Sequence, residues 1–168
     1  MSDDAATSDA PTPTVLATSV PELLAARDKL LVECFGPTAI VVRYDDDDEL
    51  LAAAGAFGGQ LTAAVHGEET DAVVPALLAL LVERAGRVLW NGWPTGVSVT
   101  AAMQHGGPYP ATTAPLSTSV GTAAIDRFLR PVSYQSMPDR LLPPALQDAN
   151  PLGIPRRVDG RTEPTQGA

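Results

Sequence analysis

Residues 86–113, GRVLWNGWPTGVSVTAAMQHGGPYPATT, open as an apolar strand over 87–90 and then break into a long run of Asn, Gly, Pro and Thr. A helical interlude near 99–103 is the only regular piece expected inside that run. A loop this long in a compact chain is either functional or disordered. Trp90, Trp93, Met103 and Tyr109 argue against disorder, because their apolar area is costly to leave in water. The stretch therefore reads as an ordered functional loop hung on the last of a series of strands.

Working upstream, the 38–44 segment TAIVVRY is apolar on both faces until Arg43, as in a strand buried on both sides of a parallel sheet. The Asp run at 45–48 supplies an N-cap and negative charge for a helix to about Phe57. The same run could suggest a cation, but the ligand spacing of a Ca²⁺ loop is absent. Gly58-Gly59 stops that helix, and 60–66 (QLTAAVH) is a second strand. A turn at 67–70 leads into a helix ending at Arg84, with Val74, Leu77, Leu78 and Leu81 as its buried stripe and Pro75 in its first turn. Strand, helix, strand, helix, strand with short connections predicts an α/β fold with a mostly parallel sheet flanked by helices. A short helix over 20–31, led by Pro21, precedes the first strand. Downstream, 119–129 reads as a helix with Val120, Ala124 and Phe128 on one face, and 131–135 as a short strand. Residues 1–13 read as a disordered tail, and 161–168 as a loose end.

The chain has 168 residues, room for one core. A net charge of −9 argues against nucleic-acid and anionic membrane partners. A single cysteine forbids an intrachain disulfide and suits a reducing cytosol. The acidic N-terminus MSDDAATSD is unlike a secretory signal, and the longest apolar run, 72–82, is too short to span a bilayer. A soluble cytoplasmic protein is the expectation.

The motifs NGWPTGVSVTAAMQHGGPYPATT, STSVGTAAIDRFLRPVSYQ and LLPPALQDANPLG, with ECFGP at 33–37, resemble the C-terminal part of a bacterial aldehyde dehydrogenase. Within that family the pattern is most similar to enzymes acting on α-ketoglutaric semialdehyde (2,5-dioxopentanoate). The resemblance covers roughly residues 15–160. It implies a partial catalytic domain over 14–129, and an oligomerisation strand and irregular arm over 130–160. It also implies that the cofactor domain, the nucleophilic Cys, the oxyanion-hole Asn and the general-base Glu of the family are not in this chain.

By that resemblance Glu33 and Phe35 match the family's Glu-x-Phe-Gly-Pro motif and would meet the nicotinamide ribose and ring of NAD or NADP. A carboxylate suits a ribose diol, since its two oxygens can accept both hydroxyl hydrogens. Cys34 stands where the motif carries an aliphatic residue; it is read as a buried packing residue rather than a nucleophile. The 91–98 segment resembles the wall of the family's aldehyde tunnel, so Trp93, Pro94, Thr95, Val97 and Ser98 are the candidate substrate contacts. A plug of the core beneath the loop is the equal alternative for Trp93 and Pro94. His66 and His105 have no metal-ligand spacing; His66 is expected to end a strand and His105 to brace the loop. The Pro residues in HGGPYP remove the N–H donors a phosphate loop would need.

The resemblance implies part of an enzyme that oxidises a small aldehyde to a carboxylic acid with NAD or NADP. The chain alone is expected to be inactive. The alternatives are a non-catalytic subunit-interaction fragment and a truncated gene product. Val132 and Tyr134 share one face of the 131–135 strand, and an edge strand without cover invites pairing with another chain. A homo-oligomer, or association with a full-length dehydrogenase, is therefore expected, with the strand left exposed in a lone chain.

Overall fold

The computed structural model describes residues 11–163. Most of the expected 1–13 tail, residues 1–10, and residues 164–168 lie outside the described residues. Two compact units divide the chain, the first running to Phe128 and the second beginning at Leu129.

The first unit opens with a strand that the sequence reading did not contain, β1 (Thr14–Ser19). Its six residues alternate too weakly to stand out, and Pro11 and Pro13 before it disguise its start. It pairs in parallel with β2 (Thr38–Arg43), in register from Thr14 opposite Thr38 to Ser19 opposite Arg43. The single helix expected over 20–31 is two short ones, α1 (Val20–Ala25) and α2 (Arg27–Leu30). Ala26 between them leaves helical geometry at φ −119°, ψ 25°, and its N–H is shared between the Glu22 and Leu23 carbonyls.

Helix α3 (Asp47–Ala56) starts where the acidic run requires. Asp46 accepts the Glu49 N–H at 2.9 Å, and the Glu49 carboxylate reaches back to the Asp45 N–H at 3.0 Å. The first bond satisfies a first-turn amide that helix geometry leaves unpaired, and the second ties down the residue before the N-cap. Strand β3 (Gln60–Val65), helix α4 (Val74–Leu81) and strand β4 (Ala85–Trp90) follow, with Pro75 in the first turn of α4, where its missing N–H costs nothing. β3 and β4 pair in parallel, Gln60 opposite Ala85 and Val65 opposite Trp90.

The sheet expected as one is two ladders, β1–β2 and β3–β4, and no ladder joins β2 to β3 among the described residues. Helix α3 straddles them. Ala53 packs in one core cluster with Val20 and Leu23, and the next residue, Ala54, packs in another with Val65 and Leu77. Small side chains let α3 approach both sides at once, which a bulky pair of residues would prevent.

After β4 the chain runs without regular structure to a 3₁₀ helix, Thr122–Phe128, in place of the α-helix expected over 119–129. The interlude at 99–103 is only a turn, with the Met103 N–H on the Thr100 carbonyl at 3.3 Å. Residues 104–110 cross the beginnings of β3 and β4 backbone to backbone. A Cβ on Gly86 would overlap the Gly106 carbonyl, and one on Gly59 would overlap the Pro108 carbonyl. Gly59 and Gly86 thus do more than end helices; they leave the room through which the loop passes.

In the second unit, β5 (Arg156–Val158) and β6 (Arg161–Glu163) form an antiparallel hairpin. Residues 161–163, expected to begin a loose end, are its second strand. Asp159 and Gly160 both take positive φ, +48° and +78°, as a two-residue hairpin turn demands. Arg156 holds the hairpin to the preceding segment, with Nε on Glu163 at 2.8 Å, Nη1 on the Gln147 carbonyl and Nη2 on the Asp148 carbonyl. Residues 131–135 do not form the expected strand: they are exposed and belong to no ladder among the described residues. A strand exists only through a partner edge.

The turn from β1 into α1 yields a pH test. The Glu22 carboxyl is held below its ordinary value first by the Thr18 hydroxyl, then by the Ser19 N–H and hydroxyl. The folded value being the lower one, its stabilising effect is complete above the ordinary carboxylate range and is lost as the pH falls through the lowered value. Melting temperatures of wild type and Glu22→Gln should differ near neutrality and converge in acid. A constant offset at every pH would rule out the carboxylate.

Candidate functional site

Two groups of candidate residues stand on the first unit, one before β2 and one after β4. Glu33 and Phe35 lie in the bend between α2 and β2, where the Gly36 N–H bonds the Cys34 carbonyl at 2.8 Å and the Thr38 N–H bonds the Gly36 carbonyl at 2.8 Å. Pro37 fixes the approach to the strand. Phe35 is 94% exposed, and Glu33, also exposed, makes no hydrogen bond among the described residues. Cys34 is exposed as well, which corrects the expectation of a buried packing residue. The bend turns outward, so none of its three side chains reaches the apolar clusters. No hydrogen bond joins Cys34 to either histidine among the described residues.

The second group follows β4. Asn91 adopts φ +47°, a left-handed conformation that Asn tolerates better than most residues. Its side-chain oxygen accepts the Gly67 N–H at 2.9 Å, and its amide donates to the Gly67 carbonyl at 2.9 Å. Its own N–H bonds the Val65 carbonyl at 2.8 Å. Three bonds thus tie the exit of β4 to the exit of β3. They bring Trp93 beside His66, with ring centroids 5.1 Å apart and planes tilted by 46°. His66 stands just past β3, as expected of a residue ending that strand.

Beyond Trp93 the Thr95 N–H bonds the Trp93 carbonyl at 2.8 Å, and Arg87 reaches from β4 to the Gly96 carbonyl with Nη1 at 2.6 Å. Trp93 is 78% exposed, Pro94, Thr95 and Ser98 are exposed, and Val97 is half-buried. The reading of Trp93 and Pro94 as plugs of the core is overturned: both stand on the surface. The loop presents an aromatic face, a Thr and a Ser hydroxyl, and a short apolar side chain. That set can receive a small, partly apolar molecule with a polar end.

His105 does brace the loop, but through its backbone. Its N–H donates to Thr118 Oγ1 at 2.8 Å, and its carbonyl accepts from the Ser119 N–H at 3.1 Å and hydroxyl at 3.0 Å. Thr118 is buried and its hydroxyl donates to the Val120 carbonyl at 2.8 Å. No group of three or more potential metal-ligating residues occurs among the described residues.

Asn91, Arg87 and Thr118 were missed by sequence reasoning. The Asn-Gly pair at 91–92 carried a signal for Asn91, since that dipeptide favours positive φ. Arg87 and Thr118 gave none, because their partners are main-chain groups, the Gly96 carbonyl for Arg87 and the His105 N–H and Val120 carbonyl for Thr118, which no motif announces. No hydrogen bond among the described residues links Glu33 or Phe35 to residues 93–98.

Residues 4–129 match the aldehyde dehydrogenase family. The chain is 53% identical over 132 residues to α-ketoglutaric semialdehyde dehydrogenase 2 of Azospirillum brasilense, covering 78% of this chain and 25% of that protein. It is 52% identical over 139 residues to α-ketoglutaric semialdehyde dehydrogenase of Acinetobacter baylyi, covering 82% of this chain and 26% of that protein. The chain thus spans about a quarter of the length of the curated relatives it matches.

The Asn91 clamp gives a direct test. Asn91→Ala removes two side-chain hydrogen bonds and places a Cβ-bearing residue without polar compensation at positive φ. It should destabilise the chain by about 1–3 kcal/mol, measured by urea denaturation. Trp93 fluorescence, read in a Trp90→Phe background, should shift as the ring leaves His66; an unaltered spectrum and midpoint would show that the clamp holds nothing.

Proposed function

Because this chain belongs to the aldehyde dehydrogenase family, we propose that it is the C-terminal part of an enzyme that oxidises a semialdehyde of the α-ketoglutaric type to the acid with NAD or NADP. The observation that carries this reading is identity of 53% and 52%, over about four-fifths of the chain, to two proteins bearing that activity in their names. Three quarters of each relative lies outside the matched segment, so a second polypeptide, or further sequence joined to this one, would supply the remainder.

The exposed bend at 33–37 fits the nicotinamide end of such a cofactor. Glu33 has a carboxylate without a hydrogen-bond partner among the described residues, able to accept two ribose hydroxyls, and Phe35 has an exposed ring able to pack on a flat heterocycle. The bound cofactor supplies the hydride acceptor. This chain's own part is to hold the ribose at Glu33 and to line the aldehyde's approach with Trp93, Pro94, Thr95, Val97 and Ser98. Among the described residues no hydrogen bond joins the exposed thiol of Cys34 to a histidine or carboxylate, so covalent chemistry falls to a nucleophile outside the matched segment.

A second reading, a non-catalytic subunit-interaction module, is favoured by one observation: the exposed apolar segment 131–135, with Val132 57% and Tyr134 44% exposed. Both readings use that segment in the same way, as a strand completed by another chain in a cytoplasmic oligomer.

The purified chain should oxidise no aldehyde with NAD or NADP, and Cys34→Ser should change nothing; turnover by the chain that is lost in Cys34→Ser would reverse the assignment. With the remainder supplied, α-ketoglutaric semialdehyde oxidation should appear. Glu33→Gln should then lower kcat/KM by about 10- to 100-fold, through loss of a charge-assisted acceptor contributing on the order of 1.5–3 kcal/mol. Unchanged kinetics would remove Glu33 from the cofactor site.

A further inference from the structure

Asn91 and Asn150 are the two asparagines of the chain, and the residues that follow them differ in one chemically decisive respect. Pro151 after Asn150 has no N–H, whereas Gly92 after Asn91 offers an N–H that no side chain crowds. Asparagine is among the thermolabile residues, because the next backbone nitrogen can attack its side-chain carbonyl carbon. Asn91 is exposed, and the Gly92 N–H makes no hydrogen bond among the described residues, so the nucleophile is unoccupied. What restrains the pair is the clamp on Gly67. Asn91 Oδ1 accepts the Gly67 N–H and Nδ2 donates to the Gly67 carbonyl, both at 2.9 Å. Attack requires the amide to turn its face to the Gly92 nitrogen, and a side chain held at both its oxygen and its nitrogen resists that turn.

We propose that Asn91-Gly92 is a deamidation site gated by the Gly67 clamp, and that the modification leaves residues 93–98 without their anchor. The Gly92 nitrogen bonds to Asn91 Cγ, the Cγ–Nδ2 bond breaks, and ammonia leaves with the Gly92 proton. Water then opens the cyclic imide at one of its two carbonyls, giving aspartate or isoaspartate at position 91. Water is the sole co-reactant, and no electron changes hands. Neither product rebuilds the clamp. An ionised carboxylate only accepts hydrogen bonds, so it can keep the Gly67 N–H but sets a negative oxygen against the Gly67 carbonyl. Isoaspartate routes the main chain through the former side chain and moves the carboxylate elsewhere. The bond from the Asn91 N–H to the Val65 carbonyl is then the clamp's remnant, and in the aspartate product it holds the end of β4 without fixing the loop. Trp93, now beside His66 at 5.1 Å between ring centroids, loses the constraint that keeps it there. The inference stands apart from the reading under Proposed function, since it follows from the clamp and the Asn-Gly pair alone.

The test incubates the full chain in warm, mildly alkaline buffer with and without guanidinium chloride. Peptide mass spectrometry follows the amide-to-acid change at position 91. Deamidation should proceed in the denatured chain and run at least about 10-fold slower in the folded one, as for a group that reacts only in locally opened molecules. Asn150 should stay intact under both conditions, having no N–H after it. Gly92→Ala should slow the reaction in the denatured chain by crowding the nucleophile. It should also fold, because a Cβ there meets only ordinary contacts, 3.7 Å from the Trp90 carbonyl oxygen and 3.8 Å from Leu89 Cδ2. In a Trp90→Phe background, the aged chain and Asn91→Asp should both show a shifted Trp93 emission. Should Asn91→Asp fail to fold, the aged chain decides by itself. Equal rates in the folded and denatured chain would overturn the gate, and an intact Asn91 in the denatured chain would overturn the site. Undiminished reaction in denatured Gly92→Ala would overturn attack by the Gly92 nitrogen. Unaltered Trp93 emission in a fully deamidated chain would overturn the loss of the anchor.

Discussion

The course of the central loop depends on backbone meeting backbone. At Gly86 and Gly59 the carbonyls of Gly106 and Pro108 occupy the space a side chain would need. Glycine inside or beside a strand is ordinarily a weakness of about 0.5–1 kcal/mol relative to alanine. Here the loss is offset by contact that no larger residue permits, and the loop lies directly on the starts of β3 and β4. Residues 104–107 are held by this contact at one end and by the His105–Thr118–Ser119 hydrogen bonds at the other. A 3₁₀ helix, rather than a longer α-helix, then finishes the unit, since the chain reaches Gly121 at φ +94° with no helical lead-in.

The candidate site inherits its shape from the opposite end of the same ladder. Three bonds from Asn91 and one from Arg87 fix where residues 93–98 leave β4. All the acceptors and donors they meet are main-chain groups, so loop position is set by the fold rather than by the candidate side chains. Trp93, Thr95 and Ser98 are consequently free to face outward. Glu33 and Phe35 are likewise exposed, on a bend organised by Gly36 and Pro37.

Periodicity made much of the fold legible. The apolar runs at 38–44 and 60–66, the Asp cap before α3 and Pro75 in α4 each rest on local physics, and the structure places those elements within a few residues. β1 escaped because its identity as a strand comes only from pairing with β2. The division of the sheet escaped because sequence order says which strands alternate with helices and nothing about which edges touch. The β5–β6 hairpin was signalled by Asp159-Gly160 and overlooked among the prolines. At the site, the Asn-Gly pair at 91–92 signalled Asn91, whereas Arg87 acts through the Gly96 carbonyl and leaves no local trace. Cys34 was misplaced because its apolar neighbours suggested burial, while the Gly-Pro bend turns it outward.

Among the described residues no helix is long and apolar enough to cross a membrane. The packing that matters is instead the contact between loop and ladder, and a single methyl group tests it. Gly86→Ala inserts a Cβ where the Gly106 carbonyl lies. Amide exchange at His105 and Ser119 should accelerate by at least about 10-fold, while β1 and β2 exchange as before. Unchanged exchange at His105 and Ser119 in a folded Gly86→Ala chain would contradict the account, because the loop would then be held by something other than its backbone contact with the ladder.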